Sequence, residues 1–470
     1  MRHLNVILLF LVSCTLYPKY VREVEFAMPS DWRIEFCEMN ELGNVNWWRN
    51  LGDPVLDGYI QEALGANQDL QVAIATVDAF AAQLGVVRSQ LFPQISGSGS
   101  AGRAKVSQTT EQLLPGEPAI NNAYDLVLNA SFQLDIWGQI RSAVDAAKAQ
   151  LYASIETRRT VVLTLISSVA STYVLMRQFD EQLRIAKETK AARDESYRLA
   201  VIRFELGLTS MLPVDQAKSE VEDAQTTIDQ IAIQVALTED LLCFLMGKAP
   251  MTPERGKLLG EIYMPPCVPA YLPSELLNQR PDILAAEQQL IAANAQIGVA
   301  RAAFFPNFSL TGQYGAEGTT WHNLFTKPSS IWEYGINLLQ EIFTGGELTN
   351  QLRFTEAQQR EALHQYQSTI LNAFKEVNDS LISHRISLDL ERDQKIKVDT
   401  LKDYLRLSWL RYQNGLVDYL TFLDAERQFF RAELAYTEAQ AQSFTTLIDL
   451  YKALGGGWVV AADCSLELPE

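Results

Sequence analysis

Residues 296–309 read QIGVARAAFFPNFS, and residues 83–96 read QLGVVRSQLFPQIS. Seven of these fourteen positions are identical at an offset of 213: Gln83/Gln296, Gly85/Gly298, Val86/Val299, Arg88/Arg301, Phe92/Phe305, Pro93/Pro306 and Ser96/Ser309. A second match follows in the same order, at an offset of 208. There RFELGLTSMLPVDQA (203–217) aligns with RYQNGLVDYLTFLDA (411–425), and Arg203/Arg411, Gly207/Gly415, Leu208/Leu416, Leu212/Leu420 and Ala217/Ala425 agree. Two ordered matches at nearly one offset mark an internal duplication of about 210 residues. That period is too long for a solenoid unit, so the chain holds two copies of one larger motif.

Downstream of each match lies a stretch without helix breakers. Residues 139–206 and 347–414 contain neither glycine nor proline, and Gly138, Gly207, Gly346 and Gly415 bound them. Both are rich in Ala, Leu, Gln, Glu, Lys and Arg, the residues that lose least on entering a helix. Val161, Leu165, Val169 and Leu175-Met176 recur at three- or four-residue steps, which gives one apolar stripe. At about 1.5 Å per residue such helices reach roughly 100 Å. Return helices are expected over 211–246 and 418–454, with Gly207 and Gly415 at the hairpin tips, where glycine accepts positive φ. A soluble antiparallel coiled coil fits this part of the pattern equally well.

Between each match and its long helix the period changes to two. Phe308, Leu310, Gly312 and Tyr314 alternate with Ser309, Thr311 and Gln313. Trp332, Tyr334, Ile336 and Leu338 alternate with Glu333, Gly335 and Asn337. In the first copy Leu126, Leu128, Ala130, Phe132 and Leu134 alternate with Asn129, Ser131, Gln133 and Asp135, and Ile95–Gly102 is a Ser/Gly-rich partner. Each copy thus supplies one β-hairpin, at 94–135 and 306–341. Strands of about ten residues with one apolar face suit a transmembrane barrel, or a small soluble sheet. Four strands cannot close a barrel, and an open edge is excluded in lipid because its backbone groups would lack partners. If the strands cross a membrane, several chains must share one barrel; a trimer would give twelve strands.

Composition narrows the function. The 470 residues carry 39 Lys+Arg against 57 Asp+Glu, a net charge of −18, so nucleic acid is not an expected partner. Four histidines and five scattered cysteines show no metal-ligand spacing, and no metal site is expected. Thr344-Gly345-Gly346 lacks the lysine of a phosphate loop, Gly455-Gly456-Gly457-Trp458 reads as a helix stop, and no nucleophile–base pattern has context. The chain is not expected to be an enzyme. The N-terminus has Arg2, an apolar run from Leu4 to Val12, then Ser13-Cys14, which is the form of a secretory signal. Leu11-Val12-Ser13-Cys14 fits a lipobox, which would make Cys14 the first mature residue and its acylation site; an ordinary signal with a chance cysteine is the other reading. No other apolar run approaches 18 residues, so no transmembrane helix is expected. Cys37 and Cys464 could pair in an exported chain, which the sequence leaves open.

The lipobox, the duplicated halves and the segments ALGANQDLQVAIATV, VRSQLFPQIS, RPDILAAEQQLIAANAQIGVARAAFFPNFSLTG, QEIFTGGEL, RYQNGLVDYLTFLDAERQF and LYKALGGGW resemble the outer-membrane efflux protein family. The similarity covers essentially the whole mature chain and is strongest to the NodT/OprM-like lipoprotein branch of the TolC superfamily. It implies a mainly α fold with a β-barrel part, in which duplicated long helical hairpins form a periplasmic tunnel. Four strands per chain would join a shared, trimeric, 12-stranded outer-membrane barrel. The implied role is the exit duct of a tripartite efflux system, passively conducting drugs or other toxic small molecules. Implied partners are two further copies of the chain, a periplasmic adaptor (membrane fusion) protein, an inner-membrane transporter of the proton-driven RND type, and outer-membrane lipid. No cofactor is implied beyond diacylglycerol and an N-acyl chain on Cys14.

The resemblance also assigns sites. The family's gate leucine and aspartate match Leu420 and Asp424, one turn apart on one helix face. Around a threefold axis they would form an apolar constriction and an anionic ring. Without the resemblance, Asp424 reads as an exposed carboxylate pairing with Arg427 or Gln428. Some relatives carry a second aspartate where this chain has Thr421. Adaptor contact is implied at the tips, through Arg203, Gly207, Leu208, Arg411, Gly415 and Leu416. The organisation expected is a signal peptide (1–13), an anchored segment (14–53), a first repeat (54–250; hairpins 94–135 and 138–246), a linker (251–280), a second repeat (281–457; hairpins 306–341 and 346–454) and a tail (458–470). The competing functions are a lipid-anchored coiled-coil structural or adaptor protein, and a duct for metal ions or proteins.

Overall fold

The computed structural model describes residues 16–22, 47–105, 107, 119–265 and 273–456. The signal segment, Cys14, Cys37, Cys267, Cys464 and the tail from residue 457 lie outside them, and with them the lipidation site and the Cys37–Cys464 pairing. Among the described residues the elements are α1 (Pro54–Ala66), α2 (Gln68–Ser89), β1 (Gln94–Lys105), β2 (Ile120–Leu134), α3 (Gln139–Glu205), α4 (Met211–Leu245), α5 (Pro273–Gln279), α6 (Pro281–Ala302), β3 (Asn307–Gly318), β4 (Ser330–Leu339), α7 (Glu347–Gln413) and α8 (Tyr419–Ala453). The two glycine-bounded runs are helices of 67 residues each. Their return helices are 35 residues each. The short helix α5 falls inside the stretch read as a linker.

By length and composition alone, two helices, α2 and α3, are apolar enough to cross a membrane, which does not make either a transmembrane helix. In α3 most of the apolar window is packed inside the fold, as in any core helix. In α2 the apolar residues are interrupted by Gln71, Asp78 and Gln83, which lipid would tolerate poorly.

The chain divides into two compact units that cut across the repeats. Among the described residues, one comprises 16–22, 76–105, 107, 119–155 and 285–367; the other comprises 47–75, 156–265, 273–284 and 368–456. The first unit holds the sheet, antiparallel in the order β1-β2-β3-β4. The two copies meet at β2 and β3, where Leu128 faces Tyr314 and Phe132 faces Leu310. Tyr314 in turn faces Trp332, and Leu310 faces Ile336. Antiparallel register therefore gathers the apolar residues of three strands onto one face, and that face is turned outward: Tyr334 is 80% exposed, and Leu126, Leu128, Trp332, Ile336 and Leu338 are exposed too. The opposite face carries Asn129, Gln313 and Glu333 in register. Gly315 is required by close approach, because a Cβ there would lie 2.3 Å from the Leu126 carbonyl oxygen. Strands β1 and β4 are the free edges within the chain.

In the same unit, residues 16–22 are bolted to helices. Tyr17 donates to Asp145 (3.0 Å), Tyr20 donates to Glu287 (2.9 Å), Arg22 pairs with Glu287, and Asn294 donates to the Pro18 carbonyl (2.7 Å). The repeated Gly298 lies under this strap, where a Cβ would meet Ser142 Oγ at 2.7 Å and Tyr17 at 3.0 Å.

The second unit is built mainly from α3 beyond residue 155 with α4, and from α7 beyond residue 367 with α8. Leu165, Val169 and Met176 are buried as the spacing predicts, whereas Leu175 is exposed. Trp47 and Trp48 are buried, and Trp47 stacks on Tyr451 at 4.9 Å. Asp53 caps α1 by accepting from Val55 N–H (3.0 Å), and also accepts from Lys257 N–H (3.0 Å) and the Tyr173 hydroxyl. Burial and this carboxylate push the Tyr173 hydroxyl well above the usual phenol range.

Candidate functional site at the hairpin tips

Both tips close with one backbone motif. Gly207 has φ +70° and Gly415 φ +69°. In each, the following N–H reaches back to the carbonyl five residues earlier: Leu208 to Arg203 at 2.8 Å, and Leu416 to Arg411 at 2.9 Å. The glycine N–H bonds one turn back, Gly207 to Phe204 (2.9 Å) and Gly415 to Tyr412 (3.0 Å). This is a Schellman ending, and only glycine adopts its left-handed residue without strain. Leu208 and Leu416 are left exposed at the apex.

Of the repeated arginines, Arg411 is exposed, but Arg203 is engaged. It donates to the Tyr412 hydroxyl at 2.7 Å and its guanidinium lies 5.1 Å from the ring centroid, a cation–π contact. Tyr412 also stacks on Phe422 at 6.0 Å, and Trp409 packs on Phe422 at 4.9 Å. With Tyr419 and Leu423, these rings pack against Ala200, Val214 and Ala217 from α3 and α4.

The return helices start differently. Asp418 caps α8, accepting from Thr421 N–H at 3.0 Å and from the Thr421 hydroxyl at 2.6 Å. Those hydrogen bonds hold the Asp418 carboxyl below its ordinary value. At the equivalent place Ser210 makes no side-chain cap, because the residue three further on is Pro213, which has no N–H to donate. Thr421 therefore has a local structural task, as the partner of the cap.

Leu420 and Asp424 stand on one exposed face of α8. Leu420 is 53% exposed, whereas Phe422, Leu423 and Ala425 between and beside them are buried. Asp424 accepts from Gln428 Nε2 at 2.6 Å. Arg427, the other partner considered for Asp424, turns instead to Glu220 of α4.

That turn exposes a cluster the sequence did not reveal. Arg193 of α3 and Glu220 of α4 are each 3% exposed, with Nη2 and Oε2 3.1 Å apart, and Arg193 Nε lies 3.4 Å from Glu426 of α8. Arg427 closes the network on Glu220. Burial is the main reason the Glu426 carboxyl is raised, with Arg193 opposing it. Four charges from three helices thus lie under the exposed face of α8. Residues so far apart in sequence carry no spacing signal, and each reads alone as a solvated helix charge. Among the described residues no group of three or more His, Cys, Asp or Glu could hold a metal ion.

Comparison with known proteins places this architecture. The outer membrane efflux protein family matches residues 59–248 and 272–456. The probable efflux pump outer membrane protein TtgC of Pseudomonas putida is 36% identical over 413 residues, 88% of this chain and 85% of that protein. The probable outer membrane lipoprotein SilC of Salmonella typhimurium is 33% identical over 422 residues, 90% of each. The Campylobacter jejuni CmeC outer membrane channel superposes with a TM-score of 0.89 at 26% identity, covering 94% of this chain and 95% of that one. The chain belongs to the outer membrane efflux protein family, a family of outer-membrane efflux channels.

Proposed function

We propose that the chain is the exit duct of a tripartite efflux assembly, in which three copies share one twelve-stranded barrel and conduct small toxic molecules passively to the exterior. The observation that carries this reading is the sheet. It presents an apolar face outward over three strands and leaves β1 and β4 unpaired, an edge that lipid forbids unless a neighbouring chain covers it. In this reading Cys14 carries the acyl anchor, and the apical Gly207, Leu208, Gly415 and Leu416, with the exposed Arg411, meet a periplasmic adaptor, while Arg203 holds the tip through Tyr412. The adaptor joins the duct to a proton-driven inner-membrane transporter. The duct catalyses nothing and needs no cofactor, and the transporter supplies the energy.

The exposed pair Leu420 and Asp424 forms the periplasmic gate. Around a threefold axis three Asp424 carboxylates repel one another and attract cations, while three Leu420 side chains narrow the path. Asp424 is free for this role because its partner is a neutral glutamine on its own helix, and the nearby Arg427 is held by Glu220. Single-channel recording of the purified oligomer in a planar bilayer tests the reading. A discrete, low, cation-biased conductance is expected. Asp424→Ala, and more so its combination with Leu420→Ala, should raise it. Failure of the folded oligomer to insert would reject the duct, and wild-type conductance in both variants would reject the gate.

A further inference from the structure

Helices α3, α7 and α8 of the second unit enclose a groove of about 680 Å³, within the size range of sites that hold drug-sized ligands. Aromatic rings dominate it: Trp409 from α7, and Phe422, Phe429 and Phe430 from α8. Phe422 and Phe430 are buried, and Trp409 and Phe429 are half-buried. Exposed aromatic faces favour flat apolar ligands and, through their quadrupoles, cations.

The carboxylates around the groove set the sign of the ligand. Glu188 is paired with Arg184 at 2.6 Å, Glu195 with Arg198 at 2.5 Å, and Glu426 with Arg193 at 3.4 Å. Glu433 is different. It is half-buried, lines the groove, and has no ion pair or side-chain hydrogen bond among the described residues. Arg184, Lys402, Glu181 and Glu188 all act on it from a distance, and burial raises its carboxyl group's affinity for a proton. Lys402 is the other lining charge without a pair, but it is exposed, so water already satisfies it. Glu433 keeps some access to water, but partial burial weakens that hydration, so it gains from an opposite charge delivered with apolar cover. An anion would meet the unpaired Glu433, whereas the lining cations are exposed and Arg406 is already paired with Asp403. A metal ion would find no cluster of ligands.

We infer that this groove binds one apolar, ring-bearing monocation per chain, with its positive charge at Glu433 and its rings against Trp409, Phe429 and Phe430. The groove is separate from Leu420 and Asp424, which are not among its lining residues, so the inference does not rest on the gate. Ala192, exposed and lining the groove from α3, offers a way to fill it without disturbing the core.

The test is fluorescence anisotropy of ethidium titrated with the full-length oligomer in lipid nanodiscs, which keep detergent out of the groove. Saturable binding of one ethidium per chain is expected. Glu433→Gln should weaken it about tenfold, the loss of roughly one charge–charge contact. Ala192→Trp should abolish it, with unchanged helical circular dichroism and oligomer size in both variants. The anion 8-anilinonaphthalene-1-sulfonate, of similar size, should bind at least tenfold more weakly than ethidium. Wild-type ethidium affinity in both variants would overturn the proposal. So would equal binding of the anion, or loss of ethidium binding in Asp424→Asn with retention in Glu433→Gln, which would move the cation to the gate.

Discussion

The two helical hairpins share a backbone and differ in what their side chains do at the turn. Gly207 and Gly415 take the same φ within one degree and close the same hydrogen bonds. Beyond that apex the copies part. The second return helix is capped by Asp418 and Thr421, is packed by Trp409, Tyr412, Tyr419 and Phe422, and presents Leu420 and Asp424 outward. The first return helix has an uncapped Ser210, then Pro213. Duplication preserved the geometry that backbone physics enforces, and divergence used the positions that geometry leaves free.

The comparison can be broken most forcefully at the charges that join the copies. Arg193→Met leaves Glu220 and Glu426 buried without their shared cation and should cost about 3–5 kcal/mol of stability. Thermal melts followed by far-ultraviolet circular dichroism would read this. Combining it with Glu220→Leu and Glu426→Leu should recover most of the loss, since a well-packed apolar cluster avoids the desolvation of all three. Because the Glu426 carboxyl is raised, the stability linked to its proton is complete below its unfolded value, about 4.3. That part is lost as the pH rises through the higher folded value.

The repeated glycines of the sheet-bearing unit provide the next contrast. Gly298→Ala should destabilise by about 1–3 kcal/mol, because Ser142 and Tyr17 occupy the space its methyl needs. Gly85→Ala, at the equivalent place, meets nothing within 4 Å and should stabilise α2 by up to about 1 kcal/mol. Equal effects in the two melts would show that residues 16–22 do not hold Gly298 as described.

At the tips, Gly207→Ala and Gly415→Ala should cost the same, about 1–2 kcal/mol, since both adopt the left-handed conformation in open space. A clear inequality would mean that the aromatic packing beside Gly415 shares the strain. The smallest effect is expected at the caps. Asp418→Ala should lower the melting temperature by on the order of 2 °C, and Ser210→Ala should leave it unchanged. The Asp418 carboxyl is lowered in the fold, so its contribution is present above the unfolded value near 4 and disappears as acid titrates the folded group. The gap between wild type and Asp418→Ala should close over that range.

Much of the architecture was legible because it depends on local rules. Helix propensity over 68 residues, glycine at a turn and period-two alternation need only neighbours in sequence. The four strands and the paired hairpins followed from these. The exposed face of Leu420 and Asp424 was legible through residues one turn apart. Arg203, by contrast, was grouped with the apical residues, but its guanidinium is spent on Tyr412, 209 positions away. Arg427 was offered to Asp424 and belongs to Glu220. In both cases a long, flexible cation has several partners within reach, and burial decides among them.

The sequence by itself determined that the chain is duplicated, that each half carries a strand pair and a very long helical hairpin, and where those hairpins turn. Such features follow from backbone conformation, which each short stretch sets for itself. Tertiary structure alone decided that β2 and β3 join the halves, that Gly298 but not Gly85 lies under the strap, that Arg193, Glu220 and Glu426 share one buried site, and that Glu433 is left without a partner in an aromatic groove. These are properties of desolvation and of contact between distant segments, and they exist only once packing has removed water from particular side chains.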